Sequence, residues 1–233
     1  MKRIAFLLSL FILSLLVPAA AQNPLKNTTT PEKPEFLRDR LFVDVFHTFW
    51  MGAPKETNIY KKLQPGFNVG LMFDIKQNKK APFSFGLGVG FTYYTQYSDA
   101  LFKKDADGVL RMYTLPDSSF RHKMNYFSCN IPLELRYRHQ KSGFKVSLGV
   151  RIGLIAEISE RYNGTNIDDP TADKWNYKVF KLPNKTKYNF DVYMRMGWKY
   201  FSVYYSYQLT PVFEKGLGPN MAPMSLGFTF TLF

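Results

Sequence analysis

Three histidines, one cysteine and a scatter of carboxylates and guanidiniums are the groups in this chain that could do chemistry. A hydrolase needs a nucleophile or an activated water beside a general base. The closest approach to that in sequence is Asp117-Ser118-Ser119 shortly before His122, and Ser and Asp together are also ordinary turn composition. His47, His122 and His139 fall in separate segments, and their spacing brings no two of them together. Asp105-x-Asp107-Gly108, and Asp168-Asp169 with Asp173, lack the ligand count and the closing glutamate of a calcium loop. Cys129 alone can form neither an intramolecular disulfide nor a thiolate zinc cluster. Gly86-x-Gly88-x-Gly90 lies inside an alternating apolar run and opens no helix, so it is not a phosphate loop. The expectation is a non-enzyme with no catalytic, cofactor-binding or metal-binding residues, and no cofactor.

The remaining charged residues obey a parity. In residues 127–137, Phe127, Cys129, Ile131, Leu133, Leu135 and Tyr137 alternate with a polar set that includes Asn130, Glu134 and Arg136. Residues 144–154 repeat the pattern with Arg151 on the polar face, and residues 188–196 repeat it with Asp191 and Arg195. Asp74 takes the polar side of residues 67–75. A period of two marks a strand with one apolar face. Residues 83–97, 201–207 and 224–233 alternate likewise. Residues 41–50 make a less regular first strand, because Phe42, Phe46 and Trp50 share a face with Asp44. The sum is an all-β chain of eight strands.

Connection lengths choose the architecture. The links run long (51–66), short (76–82), long (98–124), short (139–143), long (159–187), tight (197–199) and long (210–223). Strict alternation of that kind belongs to an antiparallel up-and-down transmembrane β-barrel, with short periplasmic turns and longer outer loops. A soluble lipocalin-like barrel would turn its apolar face inward, whereas here the second face carries glycines and charges suited to a packed lumen. Aromatics fall at both expected rims: Phe83, Tyr137, Phe144, Phe201 and Phe230 on the periplasmic side, Phe67, Tyr97, Phe127, Tyr188 and Tyr207 on the outer side. Inside, Glu134, Arg151 and Asp191 are expected at mid-depth, with Arg136, Arg195 and Asp74 lower. That network is either a plug of mutually satisfied charges or a gated ion path.

The N-terminus supplies an address. Lys2 and Arg3 precede an apolar run over residues 4–17, then Pro18 and Ala19-Ala20-Ala21, the order of a secretory signal peptide with an Ala-x-Ala site. The run is shorter than the roughly 20 residues that cross a bilayer as a helix. The expected organisation is a signal peptide over 1–21, a short periplasmic lead over 22–40 with Pro31 and Pro34, and the barrel over 41–233. With aromatics at 17% and charged residues at only 21%, the composition excludes a disordered chain. The net charge of +13 comes without a basic run, and export makes nucleic acid an unexpected partner. Loop lysines such as Lys174, Lys178, Lys181, Lys185 and Lys187 suit lipopolysaccharide phosphates instead.

Three stretches carry a family resemblance. Asn130-Ile131-Pro132-Leu133-Glu134-Leu135-Arg136-Tyr137, the Pro211-Val212-Phe213-Glu214-Lys215-Gly216-Leu217-Gly218-Pro219 loop and the closing Gly227-Phe228-Thr229-Phe230-Thr231-Leu232-Phe233 resemble the PorT-type outer-membrane β-barrel proteins of Bacteroidota. The resemblance implies an eight-stranded barrel in a Gram-negative outer membrane and, for the family's namesake, a role in type IX secretion. It also implies recognition of the last strand by the barrel-assembly machinery through Phe230 and Phe233. Terminal Phe233 departs from the usual pattern, because it falls off the apolar row of Met224, Leu226, Phe228, Phe230 and Leu232. The expected function is a scaffold or accessory component of the envelope whose long loops contact other envelope or secretion proteins. A narrow channel or small-solute transporter and a type IX accessory factor stay as alternatives.

Overall fold

The computed structural model describes residues 35–57, 59, 63–76, 82–114, 121–139, 141–164 and 175–232. The expected signal peptide, Asp117 to Ser119, Asp168, Asp169, Asp173, Lys174 and Phe233 lie outside these residues. Alternation builds the strands β1 (Glu35–Met51), β2 (Pro65–Lys76), β3 (Phe83–Ser98), β4 (Ala100–Lys104), β5 (Leu110–Thr114) and β6 (Arg121–Arg138). They continue as β7 (Phe144–Gly164), β8 (Trp175–Val179), β9 (Tyr188–Trp198), β10 (Phe201–Gln208) and β11 (Ala222–Leu232). The hydrogen-bonded order β6-β3-β2-β1-β11-β10-β9-β7 returns on itself through a β6–β7 pairing, which closes an eight-stranded antiparallel barrel. Closure leaves no edge strand among the eight, the condition for a sheet to sit in hydrocarbon. β4 and β5 form a separate hairpin, and β8 pairs with the extension of β7. β1 begins at Glu35, ahead of the expected start at Leu41, and pairs there with the end of β2.

The two faces of the wall follow the alternation. Phe67, Leu71, Phe73, Phe85, Leu87, Val89, Ile131, Leu133, Leu148, Ile152 and Val203 are exposed outward, while Asn68, Met72, Asp74, Ser84, Thr92, Glu134 and Arg151 are buried inward. Ring contacts tie neighbouring strands at the rims. Phe83 meets Tyr137 at 5.2 Å and Phe201 meets Phe230 at 5.6 Å near the short turns, while Phe67 stacks on Tyr93 at 5.4 Å nearer the long loops. No helix among the described residues is long and apolar enough to cross a membrane; this barrel presents strands.

β1 has the reverse of an ordinary lumen strand. Phe42, Phe46 and Trp50 point inward with Asp44 and Thr48, at 4% exposure or less. Glycines on the next strand make the space, since a Cβ on Gly66 or Gly70 would run into the rings of Phe46 and Phe42. Gly149 does the same for the Tyr193 ring. These glycines fit a lumen that admits only side chains.

The long loops are knitted together. Gln64 reads the backbone of two segments, donating from Nε2 to Ile59 O at 2.7 Å and Tyr97 O at 2.8 Å. Leu110 N donates to Leu217 O, Leu182 N to Ile158 O, and Glu214 N to Asn184 O, at 2.8–2.9 Å. Asn184 Nδ2 bridges Gly108 O and Leu217 O at 2.8 Å each. Beneath these bonds Ile59, Phe102, Leu110, Leu182, Val212, Phe213 and Met221 form a buried apolar cluster continuous with Trp50. Solvated coil would leave such side chains in water at a cost of about 1.5–3 kcal/mol each, so the loops fold into a cap over one end of the barrel.

Candidate functional site

The lumen holds two ionic clusters at different depths. The one nearer the short turns draws on four strands: Asp44 of β1, Asp74 of β2, Glu134 and Arg136 of β6, and Arg195 of β9. Arg195 forks onto Asp44, with Nη2 2.7 Å from Oδ2 and Nε 3.1 Å from Oδ1, and its Nη1 also pairs with Glu134. Arg136 Nε donates to Glu134 Oε2 at 2.5 Å while its Nη1 pairs with Asp74. Tyr193 OH, Thr229 Oγ1 and Asn68 Nδ2 donate to the carboxylates at 2.8, 2.6 and 2.8 Å. The Arg195 guanidinium also lies 4.3 Å from the Phe42 ring centre. Buried charge is tolerated when paired and hydrogen-bonded in this way.

The second cluster lies nearer the cap. Arg151 Nε donates to Asp191 Oδ2 at 2.8 Å and Nη2 to Tyr204 OH at 3.1 Å. Above it Tyr94 and Tyr126 stack at 5.0 Å, and Phe46 packs on Tyr94 and Tyr204 at 5.4 and 5.5 Å. The structure thus brings all six sequence-selected residues, Asp74, Glu134, Arg136, Arg151, Asp191 and Arg195, into the lumen, yet Glu134 and Arg151 do not share a level. In register Glu134 faces Gly149 while Arg151 faces Pro132, a step further from the short turn. Asp44, the hub of the lower cluster, is not among the six, because in sequence it shares its face with the bulky Phe42, Phe46 and Trp50.

A third polar group sits under the cap. Ser98 Oγ lies 2.7 Å from His122 Nδ1, and His122 Nε2 lies 2.6 Å from Glu160 Oε1. The order is that of a nucleophile, base and acid, but each member is at most 1% exposed, and the Phe102 ring lies 6.0 Å from the imidazole. Phe102 N also donates to Glu160 Oε1 at 2.8 Å. Enclosed in this way, the group clasps the β4–β5 hairpin to the barrel through Phe102 and Glu160. A bulge makes it possible: Phe127 pairs Glu157 and Ser128 pairs Ile155, so Ala156 is extra and the parity of β7 inverts beyond it. Glu160 then turns inward, which no local pattern announces.

His47 Nδ1 accepts from Gln64 N at 3.1 Å, and His139 lies 2.7 Å from Ser142 Oγ in a short turn, so neither joins His122. Asp105 and Asp107 are engaged by Arg111 within the β4–β5 turn. No group of three or more His, Cys, Asp or Glu among the described residues is placed to hold a metal. Cys129 is exposed on the outer face, as is Phe230.

A closed antiparallel barrel with paired charges inside and an apolar, aromatic-rimmed wall outside is a transmembrane β-barrel. The chain belongs to the outer membrane protein beta-barrel domain family, whose model matches residues 42–214. Among solved structures the chain is similar to Ail, the attachment invasion locus protein of Yersinia pestis, in complex with the heparin analogue sucrose octasulfate. The two share 10% identity over 83% of this chain and 97% of that one, with a TM-score of 0.42. It is also similar to Yersinia pestis Ail in a phospholipid bilayer nanodisc, at 12% identity over 84% of this chain and 100% of that one, with a TM-score of 0.35. No curated protein matches it.

Proposed function

We propose that the chain is a non-conducting, non-enzymatic scaffold of the outer membrane, which offers its knitted loop cap as a rigid docking surface to other envelope proteins. The observation that carries this reading is that the barrel is occupied along its length: two ion clusters, a tyrosine layer and an apolar cap succeed one another from short turns to long loops. A transporter needs a path, and a narrow channel would have to break several buried ion pairs at once. A cap that buries its own apolar cluster holds one shape, which suits a partner surface that must be recognised without first being ordered.

In this reading the short turns and the N-terminus face the periplasm, after a signal peptide over 1–21 has been removed, and the cap faces outward, where Lys178, Lys181 and Lys187 meet lipopolysaccharide phosphates. Insertion passes through the barrel-assembly machinery, with Phe230 and Phe233 in the strand that is read. The experiment is planar-bilayer recording of the purified barrel. The expected trace is silent for the wild type, and a steady conductance altered by Glu134→Ala or Arg151→Ala would replace the scaffold with a channel. The type IX accessory role follows the PorT-type resemblance, and deletion of the gene tests it: unchanged export of secreted cargo removes that role.

A further inference from the structure

At the long-loop end, β6 and β7 run on past the aromatic rim and β8 joins them, and the outward face of this small sheet carries a row of cations. Lys123 faces Arg161 directly across the β6–β7 ladder, and Arg161 faces Lys178 directly across the β7–β8 ladder. Residues paired in register share a face, so three positive side chains stand abreast on neighbouring strands, with Cβ atoms about 5 Å from one to the next. Like charges placed directly opposite one another are destabilising. Among the described residues, no carboxylate forms an ion pair with any of the three.

The bulge at Ala156 creates the row. By inverting the parity of β7 it sends Glu160 inward to His122, and by the same step it turns Arg161 outward between the two lysines. Rings close both ends: Lys123 Nζ lies 5.8 Å from the centre of the Tyr97 ring on β3, and Lys178 Nζ 4.1 Å from that of Phe180. On the side toward the barrel comes one polar row, Thr95, Asn125 and Ser159, and below it Tyr93 and Phe127 begin the aromatic rim. Glu157 shares the outward face, but it lies at the rim opposite Phe127, where its charge acts on Lys185.

Height and direction choose the ligand. A guanidinium fork between two ammoniums suits the oxygens of a phosphate, which Arg grips in bidentate fashion and Lys meets as a point charge. The row looks sideways from the wall, just past the end of the apolar face, so a phosphate that reaches it belongs to a molecule standing in the membrane beside the barrel. We propose that Lys123, Arg161 and Lys178 form a binding site for a phosphate of one outer-leaflet lipopolysaccharide molecule packed against β6, β7 and β8. This rests on the reading in which the cap faces outward, and it gives that contact a defined face of the wall with Arg161 at its centre.

The test uses the intact barrel in neutral-detergent micelles free of divalent cations, titrated with lipid A, the phosphorylated anchor of lipopolysaccharide, and read by native mass spectrometry. One bound lipid is expected for the wild type, weakened about tenfold by Arg161→Gln and further by adding Lys123→Gln and Lys178→Gln, as loss of charge-assisted hydrogen bonds predicts. Lys104→Gln, Lys141→Gln and Lys215→Gln together remove the same charge from exposed positions elsewhere and should leave binding unchanged. Heat-modified gel mobility verifies that the variants are folded barrels. Equal loss in that control, equal binding of lipid A stripped of its phosphates, or equal binding by the folded triple variant of the row overturns the site. Asp168, Asp169 and Asp173 belong to the connection between β7 and β8 and lie outside the described residues; replacing all three by Asn should leave binding unchanged or tighter. Binding that appears only in that variant would show that the chain itself fills the row, and binding of a polyglutamate peptide in place of lipid A would pass the row to an acidic protein; either overturns the proposal. Micelles have no sides, so orientation is read separately, by antibody access in intact cells to an epitope placed at Lys215: an inaccessible cap would remove the outward reading and lipopolysaccharide with it, whereas the scaffold reading falls only on conductance.

Discussion

Arg195 and Asp44 are 151 residues apart in the chain and 2.7 Å apart in the lumen, joining β9 to β1 over the intervening β10 and β11. The pair is a strut: it ties walls of the barrel that no backbone ladder connects. Asp44→Ala leaves the buried guanidinium with Glu134 alone and is expected to cost about 3–5 kcal/mol. Urea unfolding of the lipid-reconstituted barrel reads this. Asp107→Ala, which breaks an exposed pair with Arg111, serves as the comparison and should cost no more than about 1 kcal/mol.

Leu148 is 53% exposed on the outward face, opposite Leu135 on one side and Met194 on the other. If that face meets hydrocarbon, Leu148→Arg near mid-strand destabilises the inserted barrel by about 2–4 kcal/mol, while Phe201→Arg at the rim costs about 0–1 kcal/mol. Folding yields into lipid vesicles compare the two. Equal, negligible effects would contradict a lipid-facing wall.

The clasp under the cap has a separable phenotype. Glu160→Gln weakens acceptance from both His122 and Phe102, and His122→Ala removes the bridge to Ser98; each should cost about 1–3 kcal/mol locally. Hydrogen exchange in the β4–β5 hairpin should quicken while the amides of β1, β10 and β11 keep their protection. Uniform acceleration through the barrel would mean that the hairpin and the wall open as one unit.

Gly149 is expected to tolerate no side chain. A Cβ there meets the Tyr193 ring, whose hydroxyl donates to Glu134. Gly149→Val should therefore overpack the lumen by about 1–3 kcal/mol. Adding Tyr193→Ala should return part of that cost, and strictly additive losses would show that the two positions do not touch.

The strands and the identity of the charged lumen face were readable from the sequence because period two runs through the barrel stretches of β2, β3, β6, β9, β10 and β11, and through β7 as far as its bulge at Ala156. What a period does not reveal is which side it faces when both sides are bulky. Phe42, Phe46 and Trp50 look like lipid-facing residues and fill the lumen, because Gly66 and Gly70 on the adjacent strand vacate the space. Partners across the lumen were equally hidden. Alternation and turn positions put Glu134, Arg151 and Asp191 at one depth, but strand stagger lifts Arg151 with Asp191 and gives Glu134 to Arg195 and Arg136. The clasp depends on the extra residue Ala156, and the cap depends on bonds between loops far apart in sequence. Neither leaves a local trace.

The β1–β11 seam has a temporal consequence. Met51 pairs with Ala222 and Leu41 with Leu232, so the wall is completed by segments from opposite ends of the described chain. Until β11 has been synthesised, β1 presents an unpaired edge of backbone donors and acceptors, a template for aggregation. Loop-closure entropy must be met before that seam rewards it, and topologies of this kind fold slowly. A precursor in which that pairing has not formed therefore keeps an open edge, and the wall becomes self-sufficient only when its first and last strands meet.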